Sequence, residues 1–290
     1  MFKLAHINAR SILKNFNSLK DCVVVNDFDV VTVTETWLND AVADDLVHIN
    51  DYIVVREDRG GDRRGGGVCV FLKNQIAFKK LEIITDASCE QLWLSIKINK
   101  ISIAVGVVYR PPYTNCNDFI SNLEENLSNI YVKHTEIFCA GDMNINMLDC
   151  NGSNYRLLYG LLDATGLAQV IDEPTRMGRS SCSLLDVVIT SAVGVGSGVV
   201  DVPGFSDHLL IYCEWLPPTK TTSAPRAIRS YRNFSQVDFD CDLRSIAWDV
   251  IYSLGDIDEI VGFFTTNLLQ LFDLHAPVIT LSLIKQIYRG

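Results

Sequence analysis

Apolar residues in the first two thirds of the chain come in short runs, each closing on a polar or acidic side chain. Phe2 to Ile7 leads to Asn8, Asp29 to Thr34 leads to Glu35, and Glu136 to Ala140 leads to Gly141 and Asp142. Enzymes built on strands commonly place their chemistry at such ends. Gln91 to Ile98 alternates, pauses at Asn99 and Lys100, and resumes from Ile101 to Tyr109. That pattern predicts a hairpin whose second strand is well buried, stopped by Pro111 and Pro112. Apolar spacings of three and four predict helices over Phe119 to Ile130 and Tyr155 to Ala164, the second with Asn154 as N-cap and Gly166 just past its end. Antiparallel hairpins, with other strands separated by single helices, predict a mixed-sheet α/β sandwich rather than an all-parallel doubly wound sheet.

The pattern changes after Trp215. Pro217, Pro218, Thr219, Thr221, Thr222, Ser223 and Pro225 form a spacer that carries Lys220, Arg226, Arg229 and Arg232 with no acid between them. Three segments are therefore expected: a domain over 1–216, a basic Pro/Thr-rich linker over 217–233, and a helical segment over 234–290. In the last, Ile257, Ile260, Val261, Phe264, Leu268, Leu271 and Phe272 recur at helical spacing, although the segment is short for an independent core.

Composition narrows the function. Hydrophobic residues make up 48% of the 290, enough to bury a sizeable core, while 25 Lys and Arg against 35 Asp and Glu give a net charge of -10. Bulk attraction for polyanions is excluded, so any hold on nucleic acid needs local patches or a metal. Nine cysteines without a Cys-x-x-Cys pair read as reduced, mostly buried thiols of a nuclear or cytoplasmic protein. Neither a signal peptide nor an apolar run of about 18 residues is seen, so no membrane association is expected.

Candidate chemistry gathers at the strand ends. Gly141-Asp142-Met143-Asn144 follows an apolar strand, where glycine permits a tight turn that exposes a carboxylate and an amide. Asp142 can orient or deprotonate water, and Asn144 can donate to a phosphate oxygen without adding negative charge. Glu35 is suited to a hard cation such as Mg²⁺, with Asn8 at the end of another strand able to hold that carboxylate or a metal-bound water. Ser206-Asp207-His208 brings an acid and an imidazole to a strand mouth. Asp186, an acid in the apolar stretch Ser183 to Ile189, needs a partner and can hold the second nitrogen of His208. The Tyr109 hydroxyl can face a phosphate oxygen. Each of these residues taken singly is equally an ordinary turn, cap or surface group. The Arg56 to Gly67 run, with four arginines and five glycines, reads as a turn; it lacks the Lys-Ser or Lys-Thr of a Walker loop. Gly-x-Ser-x-Gly and His-Glu-x-x-His are absent, which disfavours acyl-enzyme and zinc hydrolysis.

In order, Asn8, Thr34-Glu35-Thr36-Trp37, Tyr109-Arg110-Pro111-Pro112, Gly141-Asp142-Met143-Asn144, Asp186 and Ser206-Asp207-His208 resemble the endonuclease/exonuclease/phosphatase superfamily, the DNase-I-like fold. Asn8-Ala9-Arg10-Ser11, Thr34 to Leu38, and Pro174-Thr175-Arg176 followed by Leu185-Asp186 look most like the apurinic-type endonucleases of non-LTR retrotransposons. The resemblance spans about residues 2 to 216. It implies a four-layered α/β sandwich, two facing mixed sheets covered by helices, that cuts phosphodiester bonds of DNA with Mg²⁺ or Mn²⁺. By the same resemblance Glu35 binds metal with Asn8 beside it and Asp207 in support. Asp142 positions or activates water, Asn144 and Tyr109 hold the scissile phosphate, and His208, oriented by Asp186, stabilises the transition state. Residues from about 226 to 276 resemble the connector before a reverse-transcriptase domain, which implies a truncated copy whose basic linker can touch DNA or element RNA. A phosphomonoesterase or RNA exonuclease of the same fold, and an inactive relic, are the competing readings.

Overall fold

Runs of β-branched residues punctuated by turns fold into two six-stranded sheets. The computed structural model describes residues 1–60, 65–178, 181–218, 226–229 and 234–281, with 226–229 and 279–281 described by their backbone. The strands begin with β1 (Phe2–Asn8), β2 (Val30–Thr34), β3 (Tyr52–Glu57) and β4 (Val68–Lys73). They continue with β5 (Phe78–Lys80), β6 (Glu90–Ile98), β7 (Ile101–Tyr109) and β8 (Glu136–Asp142). After these come β9 (Ala168–Gln169), β10 (Arg176–Met177), β11 (Cys182–Ser183), β12 (Asp186–Thr190), β13 (Gly196–Val200) and β14 (Leu210–Trp215). One sheet has the order β13-β14-β1-β2-β4-β3 and the other β5-β6-β7-β8-β12-β9, while β10 and β11 form a small hairpin. Each large sheet contains one parallel pair, β1 with β2 and β7 with β8, among antiparallel neighbours. This is the two-sheet mixed sandwich of the DNase-I-like fold, as the sequence predicts.

Alternation along the strands decides what lies between the sheets. Phe2, Leu4, Val30, Val70 and Leu72 of the first sheet share one apolar cluster with Trp93, Val105, Val107 and Phe138 of the second. The Phe2 and Phe138 rings meet edge to face at 5.3 Å. Ala5, Ile7, Val31 and Val33 point the other way and pack with Ile12, Leu19 and Val23, the last two on α1 (Phe16–Asn26). Helices α2 (Cys116–Tyr131) and α3 (Ser153–Thr165) add Phe119, Leu123, Leu127, Leu158 and Leu161 to the first cluster. The same period of two continues to the strand ends. His6 and Asn8 therefore follow Phe2 and Leu4 onto the inner face, and Asp142 follows Phe138 and Ala140.

The sequence expectations differ from the structure at identifiable points. Gly141 is not in a turn: β8 runs through it to Asp142, and the turn begins only at Met143. Glycine is required there because a Cβ would lie 1.7 Å from the Val108 carbonyl oxygen on the neighbouring strand. Gly141→Ala is accordingly expected to lose about 3 kcal/mol or more of stability, since the obstacle is paired backbone, not a movable side chain. A urea midpoint unchanged from wild type would refute this. Helix α3 starts two residues earlier than expected, with Gly152 and not Asn154 as N-cap, and closes at Gly166 in the left-handed region as predicted. Helix α1 carries too few regularly spaced apolar residues to be read from sequence. The expected hairpin forms from β6 and β7, with Asn99 and Lys100 both at positive φ. Within the glycine-rich run, Gly61, Asp62, Arg63 and Arg64 lie outside the described residues.

The chain divides into two compact units, Met1–Thr219 and Lys220–Gly290. The second contains β15 (Arg226–Arg229) and β16 (Val278–Leu281), paired antiparallel, with α4 (Gln236–Ser245) and α5 (Ile257–His275) between them. The stretch read as a linker thus holds a strand, an outcome its polar composition concealed because a two-stranded pair needs little apolar surface of its own. The remaining spacer residues, 219–225 and 230–233, lie outside the described set, as do 282–290. Helix α5 matches the apolar spacing noted above. Its Ile257, Val261 and Phe264 are nevertheless exposed; among the described residues Phe239 packs against Phe234, Phe272 and His275, and Trp248 against Phe263 and Phe264. Among the described residues no helix is long and apolar enough to cross a membrane.

Candidate active site

Register brings the polar strand ends together. Across the second sheet Tyr109 pairs with Asp142 and Asp142 with Asp186, so three adjacent strands end level on these side chains. In the first sheet Asn8 pairs with Thr34, and Glu35 follows directly. Arg10, Ser11, Glu35, Trp37 and Asn144, none of them glycine, all take positive φ around these ends. Such backbone costs on the order of 1–3 kcal/mol per residue and concentrates where side chains are aimed for function.

Asn8 is the hinge of the constellation. Its amide nitrogen donates to Asp142 Oδ2 at 2.8 Å and to Glu35 Oε1 at 3.0 Å, joining the two sheets through one side chain. The Arg10 backbone N–H donates to Asn8 Oδ1 at 3.1 Å and so fixes which way the amide faces. Glu35 also accepts from the Tyr109 hydroxyl at 3.0 Å and from Trp37 Nε1 at 3.2 Å. Burial, and next the Glu35 charge, push the Tyr109 hydroxyl pKa far up, so Tyr109 stays protonated.

Asp142 is almost completely buried. Its second oxygen accepts from the Asn144 backbone N–H at 2.9 Å. The turn that allows this is locked by Arg110, whose buried guanidinium donates to the carbonyls of Met143, Asn144 and Thr114 at 2.7 to 2.8 Å. Asn144 returns one amide hydrogen to the Arg110 carbonyl at 2.8 Å and keeps the other.

Behind Asp142, Asp186 Oδ2 meets His208 Nδ1 at 2.7 Å and accepts from the Thr175 hydroxyl at 2.7 Å. Thr175 in turn accepts from the backbone N–H groups of Leu185 and Asp186. This fixes the imidazole orientation and leaves its Nε2 as the available nitrogen. Burial alone would raise both carboxyls, but His208 and His6 outweigh it at Asp186, which is held below the usual carboxylate range. Burial, then the charge of Asp186, push Asp142 up to about 7. Of the two carboxyls, Asp142 is therefore the more readily protonated. His208 is opposed by its own burial, yet its bond to Asp186 raises its pKa overall.

Six of the residues singled out in the sequence, Asn8, Glu35, Tyr109, Asp142, Asp186 and His208, thus form one connected cluster with Asn144 at its turn. Asp207 is placed differently: its carboxylate takes Arg10 at 3.2 Å and Arg176 at 3.1 Å. Sequence reasoning did not find His6, the guanidinium lock of Arg110, or the Arg10 and Arg176 pair. His6 in particular sits in an apolar run where nothing marks its partner, Asp186, which lies far along the chain on the other sheet.

The donor set fits a hard divalent cation. Asp142, Asp186 and His208 bring one ligand atom each within 4.8 Å of one another, but Asp186 and His208 are spent on each other. The remaining donors, on Glu35, Asp142 and Asn8, are oxygens, and burial together with the Asp186 charge pushes the Asp142 carboxyl up to about 7. A cation relieves that repulsion.

Residues 5–208 match the Endonuclease/Exonuclease/phosphatase family, and the chain belongs to it. Among curated proteins no relative matches. Solved structures share the fold: the endonuclease domain of TRAS1, a telomere-specific non-LTR retrotransposon, aligns at 15% identity over 73% of this chain and 97% of its own, with a TM-score of 0.59. The 3' phosphatase NExo from Neisseria, solved with a product DNA hairpin, aligns at 14% over 74% and 99%, TM-score 0.58. An AP endonuclease from Archaeoglobus fulgidus aligns at 15% over 74% and 99%, TM-score 0.58.

Proposed function

We propose that the chain is a divalent-metal-dependent endonuclease that nicks DNA, of the kind encoded by non-LTR retrotransposons, with Mg²⁺ or Mn²⁺ as its ion. The observation carrying this reading is the unbroken hydrogen-bonded cluster from Glu35 through Asn8 to Asp142, set beside the Asp186–His208 pair. Glu35 and Asn8 would hold the cation, which supplies Lewis-acid stabilisation of charge on the phosphate oxygens. Asp142 positions the attacking water and accepts its proton, the level of its pKa suiting a base near neutrality. The free amide hydrogen of Asn144 and the His208 imidazole donate to phosphate oxygens, where negative charge builds during in-line displacement, and Tyr109 would join them by turning its one proton away from Glu35. Asp207 holds Arg10 and Arg176 at the rim, where two guanidinium groups suit the DNA backbone despite the acidic whole. The second unit is read as the connector that precedes a reverse transcriptase, and a nuclear or cytoplasmic location accords with this substrate.

The test is supercoiled plasmid offered to the purified chain with Mg²⁺ or with EDTA, beside single-stranded RNA, inositol phosphates and a 3'-phosphorylated oligonucleotide. Conversion to open circles that EDTA abolishes is the expected result. Turnover confined to RNA or to phosphomonoesters replaces this reading with an exonuclease or phosphatase, and silence on every substrate replaces it with an inactive relic.

Burial of Asp142, with Asp186 beside it, also predicts a pH signature in EDTA. Asp142 is raised from 3.8 to about 7 and His208 is raised above 6.5. In both cases the fold favours the protonated form, so their contribution is full below the unfolded pKa and is lost as pH rises through the folded one. Asp186, held low, loses its contribution only in acid below 3.8. The thermal midpoint should thus fall between about pH 5 and pH 8, by less in Asp142→Asn, and Mg²⁺ should restore more at the upper end. An identical slope in the variant would show that Asp142 does not cause it.

A further inference from the structure

His6 is fully buried on β1, facing the second sheet, and the nuclease mechanism above makes no use of it. Its Nδ1 lies 3.1 Å from the hydroxyl of Thr32, its register partner on β2. Its Nε2 lies 3.5 Å from Asp186 Oδ1. Both of these atoms are buried, and among the described residues neither has a hydrogen-bond partner. The other oxygen of Asp186 is occupied by His208 and Thr175. Two orphan polar atoms facing each other across the gap between sheets are costly apart and compensating together. An Nε2 lone pair turned toward a buried carboxylate would be repelled, so the proton belongs on Nε2; the Thr32 hydroxyl, which lies 3.1 Å from both Nδ1 and the Ala5 carbonyl, then gives its one proton to Nδ1 in place of Ala5. The separation exceeds a good bond by a few tenths of an ångström, the kind of slack that closes when a site engages its substrate.

We propose that His6 is a positioning residue, whose Nε2–H binds Asp186 Oδ1 so that one carboxylate of the second sheet is gripped by two imidazoles, His6 on one oxygen and His208 on the other. The inference rests on the nuclease reading for its effect on rate. Asp186 alone could pivot about its bond to His208; with the second oxygen held, its plane is fixed, and with it the direction of His208 Nε2 toward the scissile phosphate. Removing the grip should slow the chemical step and leave substrate binding nearly intact.

The experiment compares His6→Gln, whose amide nitrogen reaches the place of Nε2, with His6→Asn, whose amide reaches only the place of Nδ1. Both are polar and of similar size, so a filler role predicts equal rates. Positioning predicts that His6→Asn loses about 10- to 100-fold in kcat with KM changed less than about twofold, that His6→Gln recovers most of it, and that His6→Asn adds little to Asp186→Asn. Equal rates for the two variants, a loss confined to KM, or full additivity with Asp186→Asn would overturn the proposal. Imidazole ¹H–¹⁵N spectra of the whole chain give a readout without substrate: His6 Nε2 should carry a proton whose resonance moves in Asp186→Asn. If the wild-type chain cuts nothing while that resonance behaves as expected, the nuclease reading fails and the contact stands. If the chain nicks DNA but the resonance is absent or indifferent to Asp186→Asn, the inference fails alone.

Discussion

Asp142→Asn is expected to slow plasmid nicking by about 10³-fold, within the range found for a general base that also orients its substrate, while leaving the fold as stable as before or more so in EDTA at pH 8. The carboxylate receives two donors, the Asn8 amide at Oδ2 and the Asn144 backbone N–H at Oδ1. An asparagine amide offers only one acceptor, so its NH₂ must be set against one of those donors. Water loses its proton acceptor, and Asn8 loses one of the two bonds through which it aligns Glu35. Stability moves the other way because the charged form of Asp142 is disfavoured by burial and by Asp186. Opposed changes in rate and stability are what a site built at the expense of stability produces. Single-turnover nicking assays and thermal unfolding on the same preparation check both halves. Activity within about tenfold of wild type would remove Asp142 as the base, and a large fall in stability would show that its role is structural.

The strand ends were legible because the two periodicities that matter, alternation of two and termination on a polar residue, are local. Asn8, Asp142 and Tyr109 each close a strand in the structure, and Glu35 directly follows the end of another. Register was not legible. That Asp186 stands opposite Asp142, and Tyr109 on its other side, follows from how β7, β8 and β12 align, which no local pattern records. Gly141 shows the same limit: a glycine next to an acid suggests a turn, whereas its real constraint is the Val108 carbonyl on a strand separated from it by helix α2. Asp207 and His208 are adjacent in sequence and were expected to serve one site. In the structure His208 binds Asp186, whereas Asp207 binds Arg10 and Arg176. His6 escaped notice because a histidine in a strand is usually a satisfied core residue, and only the facing orphan oxygen of Asp186 distinguishes it.

His208→Ala is the second large effect, a loss of about 100-fold or more in the rate of nicking. The imidazole is buried, bound through Nδ1 to Asp186, and raised in pKa by that bond, which favours the imidazolium whose Nε2–H can meet a phosphate oxygen. Truncation removes the donor and leaves Asp186 Oδ2 with the Thr175 hydroxyl. Asp186→Asn should produce a loss of similar order by a different route, since an amide in its place neither favours the charged imidazole nor accepts from all its present donors. Because the two residues act as one unit, the double variant should be little worse than the worse of the two singles. Product losses that multiply would mean that Asp186 and His208 serve separate steps, and the pair would then have to be divided between binding and chemistry. The sub-additive result instead ties the rate to the orientation of a single imidazole, the property that the β12 register, the Thr175 hydroxyl and the Arg176–His208 bridge between backbone segments jointly determine.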